Sequence, residues 1–197
     1  MWFKTTFLLL ASCIPSSLAI FADEVNHLDF HHALLGVPSS QSTFFHRPTS
    51  SSNASLLYTL SEKQVIGAVN PKDGSIVWRQ NLARWTADDQ VFDGLLRASD
   101  GESSVVSSMG HFVTAWSALD GKLVWQSRFV DGTAKDLELL ELEDGQTGSA
   151  RDVISLFGDK TGTVRRLDGV SGNVKWEFKD ERFGFFLFLS ASFNLRR

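Results

Sequence analysis

Three times in this chain a glycine is followed, four residues later, by a tryptophan in similar surroundings. The copies are VIGAVNPKDGSIVW ending at Trp78, FVTAWSALDGKLVW ending at Trp125, and TVRRLDGVSGNVKW ending at Trp176. Their Trp-to-Trp spacings are 47 and 51 residues. Near-constant spacing of this size marks a repeat architecture, in which each unit cannot bury its apolar face alone and is stable only against its neighbours.

Each part of the motif has a physical reason. Gly74, Gly121 and Gly172 follow Asp73, Asp120 and Ser171, and such pairs form tight turns because glycine takes a positive φ without steric cost. Apolar residues Ile76, Leu123 and Val174 lie between glycine and tryptophan. Strand alternation then predicts Ile76 on the same face as Trp78, and Leu123 on the same face as Trp125. A tryptophan at one place in every copy is large enough to fill the gap between neighbouring sheets, a packing role.

Upstream segments complete each unit. In the second copy DGLLRAS, SSVVSS, HFVTAWS and KLVWQSRF read as four strands; in the third, LELLELE, DVISLFG, TVRRLDGV and VKWEF do, separated by DGQTGSA, DKTG and SG. Four-stranded units at this period describe the blades of a β-propeller. The fold class is therefore all-β, a partial propeller of about three four-stranded blades.

Composition supports a folded chain: 197 residues with 43% hydrophobic content can bury a core, and a net charge of −4 spread along the chain gives no electrostatic footprint for nucleic acid. The first 19 residues read as a secretory signal, with Lys4 in the charged start, an apolar run from Phe7 to Ile14, and cleavage after Ala19. The run is shorter than the roughly 20 residues that span a bilayer. Cys13, the only cysteine, lies inside that segment, which leaves the mature chain from Ile20 without disulfide, thiol nucleophile or cysteine metal ligand. Asn53 in NAS lies in a Ser-rich stretch that reads as a surface loop, and it is a glycosylation acceptor if that loop faces a lumen.

The apolar pair, Ala, Asp-Gly turn and Trp resemble the quinoprotein-type propeller repeat. The segment IFADEVNHLDFHHALLG, followed by VIGAVNPKDGSIVWRQNL, resembles the lumenal amino-terminal end of the subunit 1 family of the endoplasmic reticulum membrane protein complex. The resemblance covers nearly all of Ile20 to Phe178. It implies a lumenal propeller, further lumenal β structure, and a membrane anchor near the carboxyl end of the family's proteins. It also implies a non-catalytic scaffold, in company with other subunits of a complex that inserts and matures membrane proteins, with clients met indirectly. Neither cofactor nor catalytic residue comes with it. The positions carried over are Gly74, Trp78, Gly121, Trp125, Gly172 and Trp176.

The expected organisation is a signal at 1–19, propeller repeats over 20–182, and an apolar tail over 183–197 that departs from the family's pattern. Three blades are fewer than the four to eight of a closed ring, and no stretch after Phe178 is long enough for an anchor. The expectation is a truncated product, whose membrane association runs through the complex or through an anchor it lacks.

Two other functions compete. A quinoprotein dehydrogenase fragment needs calcium ligands and, in many relatives, a vicinal cysteine pair; the mature chain offers no cysteine, and His31 and His32 point to opposite faces of a strand. His27, His46 and His111 stand apart from them and read as surface or packing residues. The acidic residues Glu138, Glu141, Glu143 and Asp144 read as the solvated side of a strand and its turn, since Leu137, Leu139, Leu140 and Leu142 supply the apolar complement. A lumenal unfolded-protein sensor or chaperone-like propeller is the other alternative, distinguished by self-association and a response to folding stress.

Overall fold

The computed structural model describes residues 34–49, 51–52, 54–83, 93–98, 102–140, 150–159 and 161–180. The signal segment, the opening segment up to residue 33, Asn53 and the tail over 183–197 lie outside the described residues.

Among the described residues, twelve strands form three four-stranded antiparallel sheets. The first holds β1 (Pro38–His46), β2 (Leu56–Ser61), β3 (Val65–Val69) and β4 (Ile76–Asn81) in chain order. The second holds β5 (Gly94–Ala98), β6 (Ser104–Met109), β7 (Phe112–Ser117) and β8 (Leu123–Arg128). The third holds β9 (Ala134–Leu139), β10 (Val153–Gly158), β11 (Gly162–Leu167) and β12 (Val174–Asp180). The leading strands lie against one another, β1 with β5 and β5 with β9. Sheets that meet along their first strands and stack face to face are the blades of a propeller, and three of them are part of a ring. No helix among the described residues is long and apolar enough to cross a membrane.

Each seam between blades has its own apolar core. Tyr58, Ile66 and Trp78 of the first blade meet Leu96, Val105 and Trp116 of the second. Val113, Ala115 and Trp125 of the second meet Leu137, Phe157 and Leu167 of the third. Both faces of the middle sheet are therefore buried, which explains the unbroken burial from Val105 to Met109 in β6.

Two local expectations change. Ile76 and Trp78 do not share a face: Ile76 pairs with Val69 while Trp78 pairs with Ala68, so Val77 is an extra residue in β4. That bulge sends Trp78 into the seam with the second blade and Ile76 against Leu35, Val65 and Val69. The same shift recurs in β8, where Trp116 pairs with Leu123 and Ala115 with Trp125; Trp125 is buried and Leu123 is 52% exposed. A third bulge sets Leu167 opposite Val174 and Arg166 opposite Trp176. The second difference is β9, which begins at Ala134 and ends at Leu139 rather than occupying 137–143. Its register is set by β10, where Val153 faces Leu139 and Phe157 faces Ala134.

Candidate functional site

The groups with most chemistry lie in the seams between blades. Gly74, Gly121 and Gly172 have φ of 69°, 67° and 71°, and each donates its N–H to the carbonyl four residues earlier, at Asn70, Ser117 and Asp168. The left-handed turn is thus the same in all three repeats, and it wraps four residues rather than two.

The second and third of these turns receive the tryptophan of the preceding blade. Trp78 lies over Gly121, where an added Cβ would sit 2.5 Å from indole Cδ2, and its Nε1 donates to Ala118 O at 2.9 Å. Trp125 lies over Gly172, with the corresponding distance to Cδ2 at 2.7 Å, and its Nε1 donates to Gly169 O at 2.8 Å. In both cases the accepting carbonyl is three residues before the glycine. The residue two beyond each tryptophan adds a second tie: Gln80 Nε2 donates to Gly121 O at 3.0 Å, and Ser127 Oγ to Gly172 O at 2.7 Å. Glycine leaves room for an indole against the turn, and the carbonyl aimed at the seam satisfies the indole N–H.

Trp176 differs. It is 43% exposed, against 8% for Trp78 and 7% for Trp125, and Phe178 stands where the other repeats carry Gln80 and Ser127. On β12, then, the motif presents its indole to the surface, flanked by exposed Val174 and Phe178.

Other ties reinforce the seams. Tyr58 OH donates to Ala118 O at 2.8 Å, so this carbonyl accepts from both Tyr58 and Trp78. Burial pushes the Tyr58 phenol up, which keeps it protonated and able to donate. His46 is buried with Nε2 2.9 Å from Glu102 O, and His111 Nδ1 lies 2.8 Å from Gly132 O. Glu102 Oε1 accepts from the backbone N–H of Arg151, which links the second blade to the third. Burial raises the Glu102 carboxyl despite that bond.

The third blade also holds ions that the sequence reading passed over. Arg165 is 3% exposed; its Nε donates to Glu177 Oε2 at 2.7 Å and its Nη2 to Asp131 Oδ2 at 2.5 Å. The guanidinium lies 4.3 Å from the Phe129 ring centroid and 5.7 Å from that of Phe157. Burial opposes ionisation of Asp131, but its hydrogen bonds to Arg165 and Thr163, with the Arg165 charge, together outweigh it and lower the carboxyl. The only signal in sequence was Arg165-Arg166 in a strand, where alternation must send one arginine inward.

On the outer hairpin, Lys175 Nζ bridges Asp152 at 2.7 Å and Asp168 at 3.0 Å. The Lys175 hydrogen bond, with the Ser171 N–H, lowers Asp168 to about 2. A carboxyl lowered by folding contributes stability that is complete above its unfolded value near 3.9 and is lost as pH falls toward about 2. Denaturant titrations at about pH 5 and about pH 2.5 should therefore show a smaller acid-induced loss in Asp168→Asn than in the parent, an equal loss counting against this role.

Among the described residues no three His, Asp or Glu side chains converge as metal ligands. Glu138 is exposed; Glu141, Glu143, Asp144, His27, His31 and His32 lie outside the described residues.

Residues 19–189 match the EMC1 N-terminal beta-propeller domain. The ER membrane protein complex subunit 1 of Gallus gallus is 26% identical over 139 residues, covering 69% of this chain and 13% of that protein. The subunit 1 of Xenopus laevis is 25% identical over 169 residues, covering 86% of this chain and 15% of that protein. The chain thus spans about one seventh of the length of these curated relatives. Among solved structures, BamB from Moraxella catarrhalis aligns with a TM-score of 0.46 at 18% identity, over 72% of this chain and 37% of that one. With the family's match running from the opening segment through all three blades, the chain belongs to the EMC1 N-terminal beta-propeller family.

Proposed function

We propose that this chain serves as a non-catalytic, lumenal scaffold within the endoplasmic reticulum membrane protein complex, supporting the insertion and folding of membrane proteins. The observation that carries the reading is the family match over 19–189. The blade seams agree with it in kind: the polar ends of Tyr58, Trp78 and Trp125 are engaged in joining one blade to the next. Its partners are the other subunits of that complex, with membrane-protein clients met through them and no role for nucleic acid. Attachment to the membrane runs through the complex or through a carboxyl-terminal anchor. The exposed apolar strip of β12 and the glycosylation acceptor Asn53 both suit a lumenal domain that meets further protein on one side.

The test is to tag the native gene just after Ala19, isolate the product in mild detergent, and identify its mass and companions by mass spectrometry. A product far above 21.9 kDa, recovered with a constant group of membrane proteins, is the expected result. Recovery as a self-associated species that responds to folding stress would replace the scaffold by a sensor. Quinone absorbance with alcohol-dependent dye reduction would replace it by a dehydrogenase.

A further inference from the structure

His46, Glu102 and Arg151 stand at the same corner of three successive blades, where the leading strand hands over to the second. His46 ends β1, Glu102 lies between β5 and β6, and Arg151 lies between β9 and β10. Glu102 touches both neighbouring blades, with different groups. Its main-chain carbonyl lies 2.9 Å from His46 Nε2 of the first blade, and its Oε1 accepts from the Arg151 N–H of the third. A carbonyl only accepts, so His46 carries a proton on Nε2.

Each contact leads on to one of the two buried tryptophans. Beside Glu102, Ser103 O accepts from the Ala118 N–H at 2.8 Å, and Ala118 O is the acceptor for both Tyr58 OH and Trp78 Nε1. On the other side Arg151 O lies against Gly169, where an added Cβ would collide with it, and Gly169 O is the acceptor for Trp125 Nε1. The chain of contacts from Trp78 through Ala118, Glu102 and Arg151 to Trp125 is therefore unbroken. It crosses the middle blade through two adjacent residues, Glu102 and Ser103.

Units of a repeat protein ordinarily act on their nearest neighbours alone, and coupling over a longer span is carried by contiguous packed or hydrogen-bonded groups. We infer that Glu102 is a coupling residue: it makes the seam between the first and second blades open and close together with the seam between the second and third. The geometry gives the reason. The Glu102 peptide is held from the first blade by buried His46, whose ring stands edge-on to Tyr58 at 5.7 Å. The half-buried Glu102 side chain keeps its place at the Arg151 N–H only while that first seam is shut. Arg97 also reaches both neighbouring blades, with Nη1 3.2 Å from Gln41 O and Nη2 3.5 Å from Glu138 Oε1. Glu138 is 62% exposed, and an ion pair of that length facing solvent contributes little.

Native-state hydrogen exchange on the full-length protein, read by mass spectrometry over peptides spanning Ala118, Arg151 and Gly169, decides the matter. Tyr58→Phe removes one bond from the first seam alone. The expected result is exchange about two- to tenfold faster at Arg151 and Gly169 as well as at Ala118, the change in opening that one hydrogen bond is worth. In a Glu102→Ala background the response at Arg151 and Gly169 should vanish while that at Ala118 remains. In Glu102→Gln, whose amide oxygen still accepts from the Arg151 N–H, it should persist. The reciprocal probe is Ser127→Ala, which removes the bond to Gly172 O in the second seam and should quicken exchange at Ala118. Third-blade exchange untouched by Tyr58→Phe overturns the inference, as does an equal quickening in Glu102→Ala, which is the mark of general destabilisation. If Glu102→Ala does not fold, Tyr58→Phe and Ser127→Ala decide between them: reciprocal responses in both seams support the coupling, and a response confined to the altered seam overturns it.

Discussion

Replacing Trp125 by alanine should come close to unfolding the protein, whereas the same change at Trp176 should scarcely register. Trp125 is buried in the seam, lies on Gly172, and bonds Gly169 O; removing a core tryptophan costs about 3–5 kcal/mol, against a total near 5–15 kcal/mol for a domain. For a chain of this size that is a fall in Tm of roughly 6–20 °C. Trp176 is 43% exposed and has no turn over it among the described residues, so its truncation should cost less than about 1 kcal/mol. Thermal and denaturant unfolding of the two variants in parallel gives the comparison. Equal losses would mean that burial between blades is not what the tryptophans provide.

The second large effect is expected at the partner of that indole. Gly172→Ala places a Cβ inside van der Waals contact of Trp125, 2.7 Å from Cδ2, at a φ of 71° that an L side chain resists. Backbone strain of about 1–2 kcal/mol and overpacking of about 1–3 kcal/mol act together, since the rigid indole is held by its own hydrogen bond and cannot swing away. Gly121→Ala meets the same conditions against Trp78. The informative control is the double variant Gly172→Ala, Trp125→Ala: once the indole is gone, the alanine should cost only its backbone term, so the two losses should fall short of adding. Strict additivity would show that Gly172 and Trp125 do not act as one unit.

Much of this was readable in advance. The repeats with their Gly-x-x-x-Trp spacing led to three blades of four strands, and the strands of the second blade fall within a residue or two of where alternation and turn residues put them. What misled was the stretch from turn to tryptophan. Alternation grouped Ile76 with Trp78 and Leu123 with Trp125, but a one-residue bulge in each outer strand reverses the parity. Periodicity carries no mark of an extra residue, because the bulge exists only relative to the partner strand. Leu137–Glu143 was misplaced for a similar reason: a run of alternating Leu and Glu fits several registers, and its neighbour β10 chose one.

The seams themselves were out of reach. Sequence named Trp78 and Trp125 as packing residues, yet the carbonyl that each would use lies 40 and 44 residues further on, a pairing fixed by how one blade stacks on the next. Nor could it show that Arg165 would be enclosed by Phe129, Phe157, Asp131 and Glu177 while its neighbour Arg166 reaches the Asp152 carboxylate on the outer hairpin.

The sequence by itself determined the unit: strand, left-handed glycine turn, strand and tryptophan, repeated at a blade's period, because backbone sterics and side-chain alternation act over a few residues. Only the tertiary structure decided what each copy of that unit does. Identical local chemistry buries Trp78 and Trp125 and leaves Trp176 at the surface. The reason is physical: burial and hydrogen-bond partnership belong to pairs of surfaces, and a repeat carries only one surface of each pair.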